Sequence, residues 1–294
     1  MPQVLDRHLA VAPDSPPLRE MLEENAADHD AARRLAARVL LHLPRLADEN
    51  GFLGAEEAES EVQRLAELDV PAPTWLGEPD RIPRSPLELD LIELETERAR
   101  LLHQRFHYLR SYRPGLHLAG SIDGHVAALL TFSDLDLDPI RAMLPASAGT
   151  ASARVLSRVY TAAWAPRNSL SRLLALAARE LRARDPELGL LLTYLNPGIG
   201  FDGASYKAAN WQLFGRELAT RYAYLDADYV TDRELTRRFG TSDAATLERI
   251  LGSRIGFSRM PLPPLDLYAF ALSSRLNADL GSAHGLRTWR RPWR

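Results

Sequence analysis

One stretch of the chain, from Arg154 to Gly215, constrains the fold more than any other. Arg154-Val-Leu-Ser-Arg-Val-Tyr-Thr-Ala162 and Leu190-Leu-Leu-Thr-Tyr-Leu-Asn196 read as strands, and Ala165-Pro-Arg-Asn-Ser-Leu-Ser-Arg172 opens an alanine- and leucine-rich helix between them. Gly203-Ala-Ser-Tyr-Lys-Ala-Ala-Asn-Trp211 then reads as a short helix running into a further strand. This is an α/β unit. If its two strands are parallel neighbours, Arg167, Asn168, Ser169, Ser171, Asn196, Ser205 and Tyr206 converge outside their carboxyl ends, where open α/β sheets usually bind ligands.

With 294 residues, 46% of them hydrophobic, the chain can fill a sizeable core. It has no cysteine, which removes disulfides, thiolate nucleophiles and cysteine-based zinc sites together. The eight histidines read as scattered and give a metal centre little support. No apolar run approaches about 18 residues, and the N-terminus lacks a basic and then apolar leader, so the expectation is a cytoplasmic protein without a membrane span.

The net charge of −3 hides an asymmetry: residues 1–100 carry 22 acidic and 11 basic side chains, residues 101–294 carry 17 and 25. A basic C-terminal two-thirds can attract a polyanion, DNA or tRNA among them, or can simply be neutralised by an acidic layer.

Residues 1–15 read as loosely tied. Leu35, Val39, Leu40 and Leu43 predict an amphipathic helix within Leu18 to Arg45, and Val62, Leu65 and Leu68 another from Glu56 to Leu68. Five prolines between Val70 and Pro86 mark a linker, so residues 1–84 are expected to form an acidic helical extension and residues 85–272 the main domain. Ser85-Pro-Leu-Glu88 has the form of a helix start, and a helix from Pro86 to Phe106 is predicted, delivering His107 and Tyr108. Gly115 to Ile122 and His125 to Phe132 around Asp123-Gly124 predict a hairpin, and Asp134 to Thr150 a loop. Further on, Arg221 to Tyr229 reads as a strand. Thr231 to Phe239 and Ala244 to Leu251 read as helices, and Arg254 to Leu272 as a final strand pair. Residues 273–294 read as a basic tail whose tryptophans and arginines could stack on bases or serve a dimer contact.

Free amides at the turn around Asn168 would suit a pyrophosphate, or the residue is only a cap. No Gly-x-Gly-x-x-Gly or P-loop competes for a phosphate. Tyr206 can give a proton to a leaving thiolate or simply pack with its hydroxyl on a carbonyl. Ser157 has no His-Asp company for a hydrolase triad.

Five blocks carry a resemblance: Leu156-Ser-Arg-Val159, Pro166-Arg-Asn-Ser169, Tyr194-Leu-Asn-Pro197, Gly203 to Trp211, and Tyr229 to Thr241. In order and spacing the chain resembles the Mom family of phage DNA-modification proteins, whose fold is similar to that of GCN5-related N-acetyltransferases (GNAT), over about residues 105–272. It is also similar to Druantia-type anti-phage defence proteins, which share the His-Tyr and Tyr-x-Ala-x-Asn-Trp elements. The resemblance implies an α/β fold with a GNAT-like mixed sheet flanked by helices, plus the N-terminal helical extension. It implies acyl-CoA as cofactor. The strand ending near Ala162 would splay from the one ending near Asn196. The pantetheine arm would lie between them and the pyrophosphate would sit on the amides of Asn168 to Ser171.

Tyr206 would then be the general acid, with Asn196, His107 and Ser205 beside it as catalytic groups. Arg158, Tyr160, Arg167, Asn168, Ser169, Ser171 and Asn210 would serve the cofactor, and Tyr108, Lys207 and Arg233 the substrate. Asn196 stands where the family more often has aspartate, Phe201 where histidine is frequent and Leu170 where glutamate is frequent. Near Pro264-Leu-Asp-Leu-Tyr268 the basic residues that would suit DNA are missing. An N-acyltransferase acting on an amine is the leading expectation. The others are a non-acylating, nucleic-acid-binding defence component and an enzyme fed by aminoacyl-tRNA.

Overall fold

The computed structural model describes residues 10–11, 18–27, 29–81, 83–134, 152–218, 221–260, 262–273, 276 and 287–289. Its N-terminal part contains a two-residue parallel pair, β1 (Ala10–Val11) with β2 (Phe52–Leu53), and three helices, α1 (Leu18–Glu24), α2 (His29–His42) and α3 (Ala55–Ala66). The helical stretch read within Leu18 to Arg45 is thus two helices, α1 and α2, and it ends in a 3-10 turn, Leu43–Arg45, with Pro44 in its first turn, where the missing N–H costs nothing.

The main sheet starts with β3 (Asp90–Glu93), β4 (Leu116–Ile122), β5 (His125–Asp134) and β6 (Ser152–Thr161). After a crossover helix it continues with β7 (Leu188–Leu195), β8 (Gln212–Glu217), β12 (Leu265–Ala271) and β13 (Arg287–Trp289). Its order is β13-β8-β12-β7-β6-β5-β4-β3. Neighbours are antiparallel except β6 with β7 and β13 with β8. Parallel β6 and β7 need a crossover, supplied by α5 (Ser169–Arg184). Strands β9 (Ala223–Leu225), β10 (Asp228–Val230) and β11 (Ile255–Phe257) form a separate antiparallel sheet.

The helix expected from Pro86 to Phe106 is corrected. Ser85 and Glu88 do make the capping box, but on a 3-10 turn, Pro86–Glu88, after which the chain extends into β3 and pairs with β4. Helix α4 (Thr96–Leu101) follows and loosens into a π turn, Leu102–Phe106, closed by the His107 N–H on the Leu102 carbonyl at 3.0 Å. The strand read from Arg221 to Tyr229 is two strands, because Asp226 and Ala227 turn the chain with φ of 52° and 68°. Arg254 to Leu272 does contain two strands, β11 and β12, in different sheets. Residues 135–150, read as a loop, and most of the basic tail lie outside the described residues; Arg287–Trp289 pairs with β8.

α5 covers one face of the main sheet. Leu173, Leu174, Ala177 and Leu181 recur at helical spacing and pack on Leu118, Phe132, Leu156 and Leu191; each fully buried leucine contributes about 1.5–3 kcal/mol. The other face is filled by Leu102, Phe106, Leu129 and Tyr160. The N-terminal helices share a core with Tyr222, Tyr224 and Met260 of the C-terminal half. Short helices α6 (Ala204–Ala208), α7 (Asp232–Phe239) and α8 (Ala244–Leu251) complete the fold, the last two capped by Thr231 and Asp243.

Candidate functional site

The register between β6 and β7 runs from Ser152↔Leu188 to Leu156↔Thr193 and stops there. Beyond it β6 stays with β5 as far as Thr161↔Ala128, while β7 stays with β12 as far as Leu195↔Asp266. The two strands therefore part, as the family resemblance implies. The cause is local: Thr131 pairs with Arg158 but Phe132 with Leu156, so Ser157 is an extra residue, and such a bulge bends a strand and breaks its ladder. Ser157 is held there by its hydroxyl on the Thr131 carbonyl at 3.1 Å and by Ser133 at 2.9 Å.

The bulge also resets which side chains face which layer. Leu156 and Val159 pack toward α5, while Arg158 and Tyr160 fall on the opposite face. Tyr160 sinks into the apolar cluster there, so what it offers the gap between the strands is backbone. Arg158 donates from Nε to the Ser111 carbonyl (3.1 Å), from Nη2 to the Ser111 hydroxyl (2.7 Å) and from Nη1 to the Ser157 carbonyl (2.7 Å). Burial pulls its pKa from 12.5 to about 10, so it remains charged at neutral pH.

Tyr206 sits at the apex of the gap. It is buried, stacked on Tyr268 with centroids 5.4 Å apart and tilted against Trp211. Its hydroxyl is within the influence of Thr193, which opposes the effect of burial on the phenol, and the Thr193 hydroxyl donates to the Leu156 carbonyl at 2.9 Å. Burial pushes the phenol up to about 12, against the opposing pull of Thr193, so the proton stays on it throughout the neutral range. Thr193 did not stand out in the sequence, although a lone threonine within Leu190-Leu-Leu-Thr-Tyr-Leu195 was the signal available.

At the start of α5, Asn168 adopts a left-handed conformation (φ 70°) without a side-chain cap. The Ser169 N–H is tied to the Pro166 carbonyl at 3.1 Å and its hydroxyl to the same oxygen at 2.7 Å, while the Arg172 N–H returns to Asn168. The amides of Leu170 and Ser171 are the ones without an intrahelical acceptor, which narrows the expected anion cradle to those two. Buried Ser169 and the Ser171 hydroxyl, which donates to the Ser205 carbonyl at 3.3 Å, brace the turn against α6. Arg167 and Asn168 are exposed beside it.

Asn196 ends β7 with both ends of its amide in use: Oδ1 accepts from the Gly198 N–H at 2.9 Å and Nδ2 donates to the Tyr222 hydroxyl at 2.6 Å. Buried His107 accepts the Leu109 N–H on Nδ1 at 3.1 Å, which leaves its proton on Nε2, and burial holds its pKa well below the usual value. It presents a donor in place of the basic lone pair expected of it. Its ring stacks on Tyr108 at 4.4 Å, and Phe201 meets Tyr108 edge-on at 5.6 Å. Lys207 on α6 and Asn210 in the turn after it are exposed, with Lys207 donating to the Asp202 carbonyl at 3.3 Å. Arg233 is exposed on α7, its pKa lowered by desolvation and by Arg113.

His103 and His107 are spaced four residues apart across the π turn, a pair the sequence reading passes over. They do not converge on a common point. His103 accepts the Arg113 N–H and meets Thr131 at 3.0 Å, and the same threonine meets His117 at 2.9 Å. Among the described residues no group of His, Asp and Glu is placed to hold a metal ion, and no helix is long and apolar enough to cross a membrane.

A mixed sheet whose parallel central strands part beside a helix N-terminus, with a tyrosine at the apex, defines a GNAT-like fold. The chain belongs to the Mom protein family, whose model matches residues 88–260. No curated protein matches it significantly. Among solved structures it is similar to an aminoglycoside N(6')acetyltransferase from Legionella pneumophila subsp. pneumophila str. Philadelphia 1, with 10% identity and a TM-score of 0.32 over 62% of this chain and 73% of that one. It is also similar to an N-acetyltransferase from Staphylococcus aureus Mu50, with 13% identity and a TM-score of 0.34 over 63% and 99%.

Proposed function

We propose that this protein is an N-acyltransferase that moves an acyl group from a CoA thioester to an amine. The observation that carries this reading is the placing of buried Tyr206 beside Thr193, whose hydroxyl is bonded to the Leu156 carbonyl at the point where β6 and β7 part. The parted strands beyond that point suit the amide-bearing pantetheine arm, and the Leu170 and Ser171 amides suit its pyrophosphate. Acyl-CoA supplies an activated carbonyl: the amine nitrogen bonds to it, the C–S bond breaks, and the sulfur leaves with the electron pair.

The chain's part is to hold and move protons. Thr193 has one hydroxyl hydrogen and two takers, the Leu156 carbonyl and the Tyr206 oxygen. Turning it toward Tyr206 frees the phenol proton for the departing sulfur and leaves a hydrogen bond on the phenolate. The amine gives its proton to water, since Asn196 and the Nδ1 of His107 are already engaged. This suits a weakly basic amine that enters neutral, such as an exocyclic base amine or a small-molecule amine.

Asn196 favours a second reading. Its amide is spent on the turn and on Tyr222, so a lineage that has given up acyl transfer and kept nucleic-acid binding would look the same at this position. Calorimetric titration with acetyl-CoA and free CoA, with an Arg167→Ala, Asn168→Ala double variant as control, separates the two. Micromolar binding that the variant loses supports the enzyme; no binding moves the reading to nucleic acid or to an aminoacyl-tRNA donor.

A further inference from the structure

Ser111 takes the Nε/Nη2 side of the Arg158 guanidinium, and the Ser157 carbonyl takes one N–H of Nη1. Three of the five N–H donors an arginine carries are thereby spent. The two that remain, one on each terminal nitrogen, form the end-on fork of the cation. All three acceptors are neutral, and among the described residues no carboxylate pairs with Arg158. A recessed cation with only neutral partners keeps an uncompensated charge, and a fixed guanidinium with an open fork matches the two oxygens of an oxyanion.

The surroundings agree. Tyr108 and Tyr229 are the phenols that interact electrostatically with Arg158, both are half-buried, and desolvation keeps both protonated, so they can add O–H donors. Arg113 adds positive potential from the same side. Tyr108 and Tyr229 both pack against the core that the N-terminal helices share with Tyr222 and Tyr224.

We propose that the end-on fork of Arg158 receives an oxyanion, a carboxylate or a phosphate, carried by the amine acceptor. The acceptor class is then an anionic amine; the term acceptor rests on the acyl-transfer reading above, the oxyanion site on Arg158 alone.

The test titrates the full chain with acetate and, separately, with inorganic phosphate, holding ionic strength constant with chloride, and follows binding by calorimetry. Saturable binding of either anion is expected. It should weaken at least tenfold in Arg158→Gln and in Arg158→Lys, which keeps the charge but not the fork, and stay unchanged in Arg237→Ala on exposed α7. Circular dichroism checks each variant; if Arg158→Gln does not fold, Ser111→Ala, which loosens the grip on the cation, should weaken binding severalfold. A response to acetate assigns a carboxylate, a response to phosphate a phosphoryl group. Neither anion binding above chloride, or binding indifferent to Arg158→Lys and Ser111→Ala, overturns the site. Acetyl-CoA is titrated into the same samples. If it binds and the anions do not, this inference alone fails; if the anions bind through Arg158 and acetyl-CoA does not, the oxyanion site stands and acyl transfer fails.

Discussion

The Thr193 hydroxyl donates to the Leu156 carbonyl across 2.9 Å, and these two residues form the last rung between β6 and β7. Because the same threonine acts on the Tyr206 phenol, the end of the ladder and the proton donor are neighbours. Tyr206→Phe keeps the stack on Tyr268 and removes only the hydroxyl. Turnover, followed as thiol release, should fall about 10²-fold, since general acid catalysis is worth that much or more. Acetyl-CoA affinity should hardly move, and stability should drop by only about 1 kcal/mol. Thr193→Val, equal in shape, should lower turnover in the same direction. Unchanged turnover in Tyr206→Phe would remove the phenol from the mechanism.

Gly203 precedes α6 with φ at 72°, and a Cβ there would collide with the Tyr268 hydroxyl. Tyr268 in turn supports the ring of Tyr206. Gly203→Ala should cost about 1–3 kcal/mol in urea unfolding, through backbone strain and overpacking. Turnover should fall with it, because the phenol loses its bed. A variant as stable and as active as the parent would show that Tyr268 does not position Tyr206.

Local pattern made the α/β unit from Arg154 to Gly215 readable, since its strands are apolar runs and its crossover has helical spacing. The hairpin was equally plain: Asp123 and Gly124 do turn the chain with positive φ, 52° and 84°, and Ile122 faces His125. β3 was missed because Leu89-Asp-Leu-Ile-Glu-Leu94 satisfies both periods, and what decides for a strand is a partner, Leu118 to Ser121, remote in sequence. Tyr206, Asn196 and Arg158 could be named from motif blocks. Their working partners could not: Thr193 reaches back 37 residues to Leu156, and Arg158 reaches 47 to Ser111. Such bonds exist only once the bulge at Ser157 has set the register.

Arg38 is fully buried in the N-terminal layer. It donates from Nη2 to the Arg105 carbonyl at 2.7 Å and stands 3.5 Å from Asp69, thereby pinning α2 to the π turn that carries His103. Arg38→Ala leaves a cavity and strips that carbonyl and carboxylate of a partner, so a loss of about 3–5 kcal/mol is expected in urea unfolding. Arg38→Met fills the space without a charge and should lose much less. If both variants unfold like the parent, the clamp contributes nothing.

Stability should fall on mild acidification, and the buried histidines give the sign. Desolvation lowers the pKa of His42, His103, His107 and His117, with His103 reaching about 3. Each is neutral when folded but takes up a proton in the unfolded chain below about 6.5. Above that value their contribution is fully present. As the pH falls below it the unfolded state binds more protons, so stability is lost at up to about 1.4 kcal/mol per pH unit for each histidine, until the folded pKa is reached. Urea midpoints should therefore be flat from about pH 7 to 8 and drop steeply between about pH 6 and 5. His117→Gln, which keeps a polar partner for Thr131 but cannot titrate, should make that drop shallower. A midpoint that stays flat down to pH 5 would mean that the His103–Thr131–His117 network opens and takes up protons in the folded state.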